Sequence, residues 1–296
     1  MSNQIDIPRP KNFSFLHTVN GHGWKALLPF EYDELSRRLS YVFNIAGLGK
    51  PVSVSIAEKS RTLTVDIASK NSETDTIVRA VRHILRFDDE LDDFYTTLGS
   101  EEPFKWVKRI KAGRLLRSQT VFEDLVKTMC TTNCSWALTK NMTTNLVRKL
   151  GKPASDGKKA FPTPEALAGV NEDFFRSEIK AGYRSPYFAE LAGAVASGKL
   201  DPEAWLVSDL PTAELKKEIK KVKGIGDYAA ENLLKLIGRY DGLALDSWLR
   251  AGFYKKHNCE KVCEDKKIEK HYKKFGKWKG LAMWCDMTAD RFDENV

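Results

Sequence analysis

The chain predicts an α+β fold, an N-terminal antiparallel sheet with helices followed by an all-α region that contains a helical hairpin. Three observations predict it. Apolar residues alternate with polar ones between Tyr41 and Ile67, as on strands with one buried face. Beyond residue 120 the apolar period lengthens to that of helices. Late in the chain, Val222-Lys223-Gly224-Ile225-Gly226 interrupts two helical patterns with two glycines.

The first strands are Tyr41-Phe43-Ile45, Val52-Val54-Ile56 and Leu63-Val65-Ile67, with turns at Gly47-Leu48-Gly49 and Glu58-Lys59-Ser60. This is an antiparallel meander, and the stripe Ile77, Val78, Val81, Ile84 and Leu85 supplies a helix to cover it. The acidic run from Asp88 to Asp93 lacks the glycine and spacing of a calcium loop and reads as a solvated helix start. Val121, Phe122, Leu125, Val126 and Met129 form one helix face; Leu138, Met142, Leu146 and Leu150 form another, stopped by Gly151 and Pro153. After the polar loop 154–159, Phe188, Leu191 and Val195 mark a further helix, and Pro211 opens the one from Ala213 to Lys220. The expected units are 1–110, the sheet with its helices; 111–210, a helical unit; and 211–296, the hairpin unit with the C-terminal helices.

A length of 296 residues with 42% hydrophobic content allows real cores. The net charge of +8 favours a polyanionic partner, nucleic acid or an acidic surface. No segment reaches the roughly 18 apolar residues of a membrane span, and no secretory pattern opens the chain, so an intracellular protein, in cytoplasm, nucleoid or nucleus, is expected without a membrane partner. Cys130, Cys134, Cys259, Cys263 and Cys285 are odd in number and read as ordinary reduced thiols, not as a metal or disulfide framework. The lysine-rich stretch from Lys255 to Lys279, interleaved with acids and aromatics, fits a solvated face as well as a DNA-facing one.

In the hairpin, glycines allow consecutive N–H groups to turn outward at a helix N-terminus, where they lack intrahelical partners and the helix dipole favours an anion. The alternative is a corner that needs glycine only for its dihedral angles. Asp246 precedes Ser247-Trp248-Leu249-Arg250 and suits a helix N-cap, worth about 1 kcal/mol. Asp241, in Tyr-Asp-Gly, reads as a turn.

"KVKGIGDYAAENLLKLIGRYDGLALDSW" resembles the helix-hairpin-helix and following aspartate of the helix-hairpin-helix DNA glycosylases. Upstream, "RLLRSQTVFEDLVKTMCTTNCSWALTKNMTTNLVRKLG" and "AGYRSPYFAELAGAV" resemble helices of the 8-oxoguanine branch, and the N-terminal sheet suits that branch and its 3-methyladenine relatives. The resemblance covers most of the chain in order, and it implies a two-lobed helical region. It also implies a monomer that binds double-stranded DNA and removes a damaged or modified base. Gly224, Ile225 and Gly226 would hold phosphate, with room for a monovalent cation at the hairpin. Asp246 would stabilise the cationic sugar that forms as the N-glycosidic bond breaks. The base must be flipped out; Asn133 would enter the vacated stack, and Tyr183 and Arg184 would support the opposite strand and the kink.

Three departures from that family bear on chemistry. Tyr228 stands where bifunctional members carry their Schiff-base lysine, so a monofunctional, water-using enzyme is expected. Lys223 precedes the loop and should face phosphate. The last helix offers Met283 and Met287 where the 8-oxoguanine branch has a glutamine and a phenylalanine, which moves the expected substrate away from simple 8-oxoguanine; Asn232 and Trp248 would line the same pocket with Tyr228. No cysteine quartet follows the aspartate, so no iron–sulfur cluster or other cofactor is expected. A non-catalytic DNA-binding protein and a bifunctional glycosylase/lyase are the alternatives.

Overall fold

The computed structural model describes residues 3–68 and 74–293. Its sheet has five strands, β1 (Asn3–Pro8), β2 (Glu31–Asp33), β3 (Arg38–Phe43), β4 (Val52–Lys59) and β5 (Thr62–Ile67), in the order β1-β5-β4-β3-β2 and antiparallel throughout. The meander is therefore β2 to β5, and the N-terminal segment, in which Ile5 and Ile7 alternate with polar residues, adds an edge strand that returns beside β5. Register sets Tyr41 opposite Val54 and Ile56 opposite Val65. Leu39, Tyr41, Phe43, Val54, Ile56 and Val65 thereby share one core with Ile77, Val81 and Ile84 of α2 (Thr74–Ile84). A short helix, α1 (Phe15–Asn20), and the loop carrying Trp24 fill the rest of that core.

The helical part contains α3 (Asp92–Leu98), α4 (Val121–Thr131), α5 (Trp136–Leu150), α6 (Ser185–Ala196), α7 (Thr212–Ile219), α8 (Asp227–Leu236), α9 (Ser247–His257), α10 (Asp265–Tyr272) and α11 (Lys279–Thr288), besides shorter turns. Among the described residues, the three largest hydrophobic cores cut across the boundaries expected at 110 and 210. One joins residues from Val121 to Ile237, and another joins Leu91–Leu115 to Tyr240–Phe292. The acidic run is indeed followed by a helix start, but α3 packs Phe94 and Leu98 into the C-terminal core, because sequence-adjacent apolar stripes need not share a partner.

Helix α4 is buried on all sides from Val121 to Cys130, including three charged residues. The Tyr41 hydroxyl donates to Oε2 of Glu123 at 2.6 Å, Nζ of Lys127 donates to Oε1 of Glu123 at 2.6 Å, and the Trp24 indole donates to Oδ1 of Asp124 at 2.6 Å. These buried, mutually satisfied groups fasten the sheet unit to the helix that ends at the Asn133 loop.

Candidate active site

The hairpin forms between α7 and α8. Gly224 has φ +86° and is exposed; a Cβ there would come within 2.6 Å of the Tyr187 ring, so glycine is required twice over. Ile225 is buried in the helical core, which anchors the turn from inside, and its N–H donates to the Val222 carbonyl at 3.1 Å. Gly226 differs. It caps α8 with φ −91°, is exposed, and a Cβ would meet nothing within 4 Å. The free protein therefore has no steric need for glycine at this position, whereas a phosphate approaching the N-terminus of α8 would. Gly226→Ala is expected to leave the fold within about 1 kcal/mol of wild type while weakening binding to every duplex alike, by about tenfold at low salt. Urea melts and fluorescence titrations across salt check it; unchanged affinity at every salt would reduce the hairpin to a structural corner. Lys223 pairs with Glu190 at 2.8 Å on the surface beside this turn.

Asp246 is set by a chain of constraints. Oε2 of Glu231 on α8 accepts the Ala244 N–H at 2.6 Å, and the Gly280 N–H donates to the Tyr240 carbonyl at 2.7 Å. The segment between α8 and α9 is thus pressed against both α8 and α11; a Cβ on Gly280 would lie 1.9 Å from the Gly242 carbonyl oxygen. At its end, Oδ1 of Asp246 accepts the Leu249 N–H at 2.7 Å and caps α9. The carboxylate borders a cavity of about 870 Å³.

Tyr228, Asn232 and Lys235 line that cavity from one face of α8, at intervals of four and three residues. Ser247 and Trp248 line it from α9, Trp136 and Thr139 from α5, His22, Gly23 and Trp24 from the N-terminal loop, and Trp284 from α11. The Trp284 indole N–H donates to the Gly21 carbonyl at 2.8 Å, and its ring lies 6.1 Å from that of Trp248. Met283 and Met287 do not line the cavity. Met283 is fully buried in the C-terminal core and Met287 packs beside it, since α11 turns Trp284 toward the site and its neighbour away. With them goes the reason for moving the substrate away from 8-oxoguanine.

Burial governs the ionisation of the site. It pushes Lys235 down to about 8, against the pull of Asp246 and Glu231, and it pushes His22 down to about 3 with help from the Lys235 charge. At neutral pH His22 is therefore uncharged and Lys235 mostly protonated. Burial, with Asp246 nearby, raises Tyr228 and keeps the phenol neutral. The sequence reading missed His22, Lys235 and Trp284; only Lys235 had a signal there, lying on the α8 face that carries Tyr228 and Asn232.

Beyond the cavity, the expected wedge residues come together. Asn133 is exposed with φ +44°, and its amide donates to the Tyr183 hydroxyl at 3.4 Å. Tyr183 is half exposed. Arg184 is buried beneath it, 4.4 Å from the ring centre, and donates through Nε to the Met129 carbonyl and the Thr132 hydroxyl, both at 3.2 Å. Arg184 thus holds the loop and does not present a free side chain to a strand. Trp136, Leu138 and Trp248 expose large apolar surface, so Leu138 leaves the buried face expected of it. Outside the cavity lining, His257, His271 and Asp286 bring ligand atoms within 4.8 Å of one another, but the Asp286 carboxylate is already engaged, by the Lys256 ammonium at 2.6 Å and by His257 Nε2 at 2.7 Å. Among the described residues no helix is long and apolar enough to cross a membrane.

Residues 126–277 match the HhH-GPD superfamily base excision DNA repair protein family. A curated relative, the probable N-glycosylase/DNA lyase of Methanothermobacter thermautotrophicus, is 21% identical over 229 residues, which cover 68% of this chain and 70% of that protein. Among solved structures, the 3-methyladenine DNA-glycosylase of Archaeoglobus fulgidus superposes with TM-score 0.77 at 18% identity, over 99% of this chain and 100% of its own. The Clostridium acetobutylicum 8-oxoguanine glycosylase/lyase, in complex with double-stranded DNA containing cytosine opposite 8-oxoguanine, superposes with TM-score 0.75 at 19% identity, over 100% of this chain and 99% of its own.

Proposed function

Because the chain belongs to the HhH-GPD superfamily of base excision DNA repair proteins and is a DNA N-glycosylase, we propose that it is monofunctional and hydrolyses the glycosidic bond with Asp246 as its catalytic carboxylate. The observation that supports this reading is that a capped Asp246 carboxylate and the Tyr228 phenol line one cavity within electrostatic reach of each other, Tyr228 being the position at which the family resemblance puts the imine-forming lysine of bifunctional members.

In that chemistry the base leaves with the electron pair of its bond to C1′, and the sugar gains oxocarbenium character that the carboxylate stabilises. Asp246 orients a water that adds to C1′ and takes the proton it sheds, leaving an abasic sugar and a free base. The hairpin would bind phosphate, and Asn133 and Tyr183 would fill the stack that the flipped base vacates. Exposed Trp136 and Trp248 at the cavity support binding of a nucleobase, whose faces stack on indoles. A protein working this way binds duplex DNA as a monomer.

Borohydride trapping at early times, read beside release of free base by mass spectrometry, tests the reaction type. The expected result is base release with the phosphodiester backbone intact and no adduct keeping pace. An imine adduct that forms as fast as the base departs would overturn the monofunctional reading, and Lys223→Ala or Lys235→Met abolishing it would identify the amine.

A further inference from the structure

Lys235 is the buried group that hydrolysis at Asp246 leaves unused. It is 2% exposed, it lines the cavity, and its Nζ lies 4.9 Å from the centre of the Trp284 ring. Its charged and titratable neighbours are committed elsewhere. Glu231, one turn earlier on α8, binds Lys216 at 2.5 Å and the Ala244 N–H at 2.6 Å. Asp246 caps α9. His22 stands beside Asn232 on the cavity wall, and its buried Nδ1 has no partner; Lys127 acts on it from α4 with a further positive charge. The Lys235 ammonium thus makes no ion pair among the described residues, although the Asp246 and Glu231 carboxylates attract it from further off, and it stands beside two neutral polar side chains and an indole face.

We infer that Lys235 sets the substrate class: the site takes a neutral damaged or modified base, which departs as an anion, and discriminates against ring-alkylated purines that carry a positive charge. This rests on the proposed cavity as the base site. When the C1′–N bond of a neutral base breaks, the electron pair leaves with the base; the ammonium stabilises that charge by hydrogen bonding and can pass it a proton, leaving a neutral amine. Such a donor acts where charge develops, in a site from which water is excluded. A purine alkylated on N3 or N7 is cationic in the DNA and departs neutral. It gains nothing from the ammonium and is repelled by it before reaction, because like charges are poorly screened in a buried site.

The test uses duplexes whose target nucleotide carries a 2′-fluoro sugar, which resists cleavage, bearing either 8-oxoguanine or 7-methylguanine opposite cytosine. Binding is measured at pH 6.5, where 7-methylguanine keeps its charge and Lys235 its proton. Wild type should bind the neutral lesion at least tenfold more tightly than the cationic one, and Lys235→Met and Lys235→Gln, each shown to be folded by its melt, should both erase that ratio. Equal or tighter wild-type binding of 7-methylguanine, or an unchanged ratio in both variants, would overturn the inference. Base release from the same duplexes with ordinary deoxyribose is followed in parallel. A charge preference without any release would support the role of Lys235 and count against hydrolysis at Asp246; release without the preference would do the reverse.

Discussion

Asp246→Asn is expected to lower the single-turnover rate of base release by about 10²–10³-fold, the loss typical of removing one preorganised electrostatic group, while duplex affinity and the melting transition stay close to wild type. The separation follows from geometry. The asparagine carbonyl oxygen can still accept the Leu249 N–H that Oδ1 accepts at 2.7 Å, so the cap on α9 survives. What disappears is the negative charge beside C1′. The same charge raises the affinity of Lys235 for its proton against the effect of burial. In the variant the ammonium should therefore be lost at lower pH than in wild type, where it is lost as pH rises through about 8. Release within tenfold of wild type would remove Asp246 from the chemistry, and a rate loss matched by an equal loss of affinity would make it a binding residue.

The parts of the site that were legible in the sequence are those fixed by local chain geometry. Gly224 needs a positive φ, Asp246 stands one residue before a helix, and Asn133, with φ +44°, follows the C-cap of one; each leaves a residue-type signature where it acts. The pocket floor was less legible because it is tertiary. In α11, residues Gly280 to Met283 are all buried, so apolar periodicity cannot tell which of them meets the cavity; a rotation of about 100° per residue separates Met283, in the core, from Trp284, in the site. His22 comes from a loop more than two hundred positions away from α9, packed there by Trp24 and Trp284. The same reason explains β1, whose partner β5 lies some sixty residues on. It also explains Glu123, Asp124 and Lys127, whose charges suggest a solvated face until Tyr41 and Trp24 arrive to satisfy them.

Arg86→Met should be among the most damaging single changes to stability, at about 3–5 kcal/mol, the cost of breaking one side of a buried ion pair. The guanidinium is 2% exposed and joins two units of the fold. Nε donates to Asp89 at 2.6 Å, and Nη1 donates to the carbonyls of Lys235 at 3.1 Å and Leu236 at 2.7 Å. These carbonyls belong to the last turn of α8, where helix geometry leaves acceptors short of partners and the dipole favours a cation; the Lys235 carbonyl has besides only the Gly238 N–H. Methionine fills much of the same volume but donates nothing, so the Leu236 carbonyl and the Asp89 carboxylate lose this donor, and the Lys235 carbonyl keeps only the Gly238 N–H, at 3.2 Å. The effect reaches function because the turn so held carries Lys235 into the cavity: loosening it should blunt discrimination between neutral and cationic bases before it blunts phosphate binding at the opposite end of α8. Urea unfolding of variant and wild type gives the stability difference, and the paired 2′-fluoro duplexes give the discrimination. A stability loss below about 1 kcal/mol, the net value of an ordinary hydrogen bond, would mean that neighbouring groups or water take over these acceptors and that Arg86 does not anchor α8.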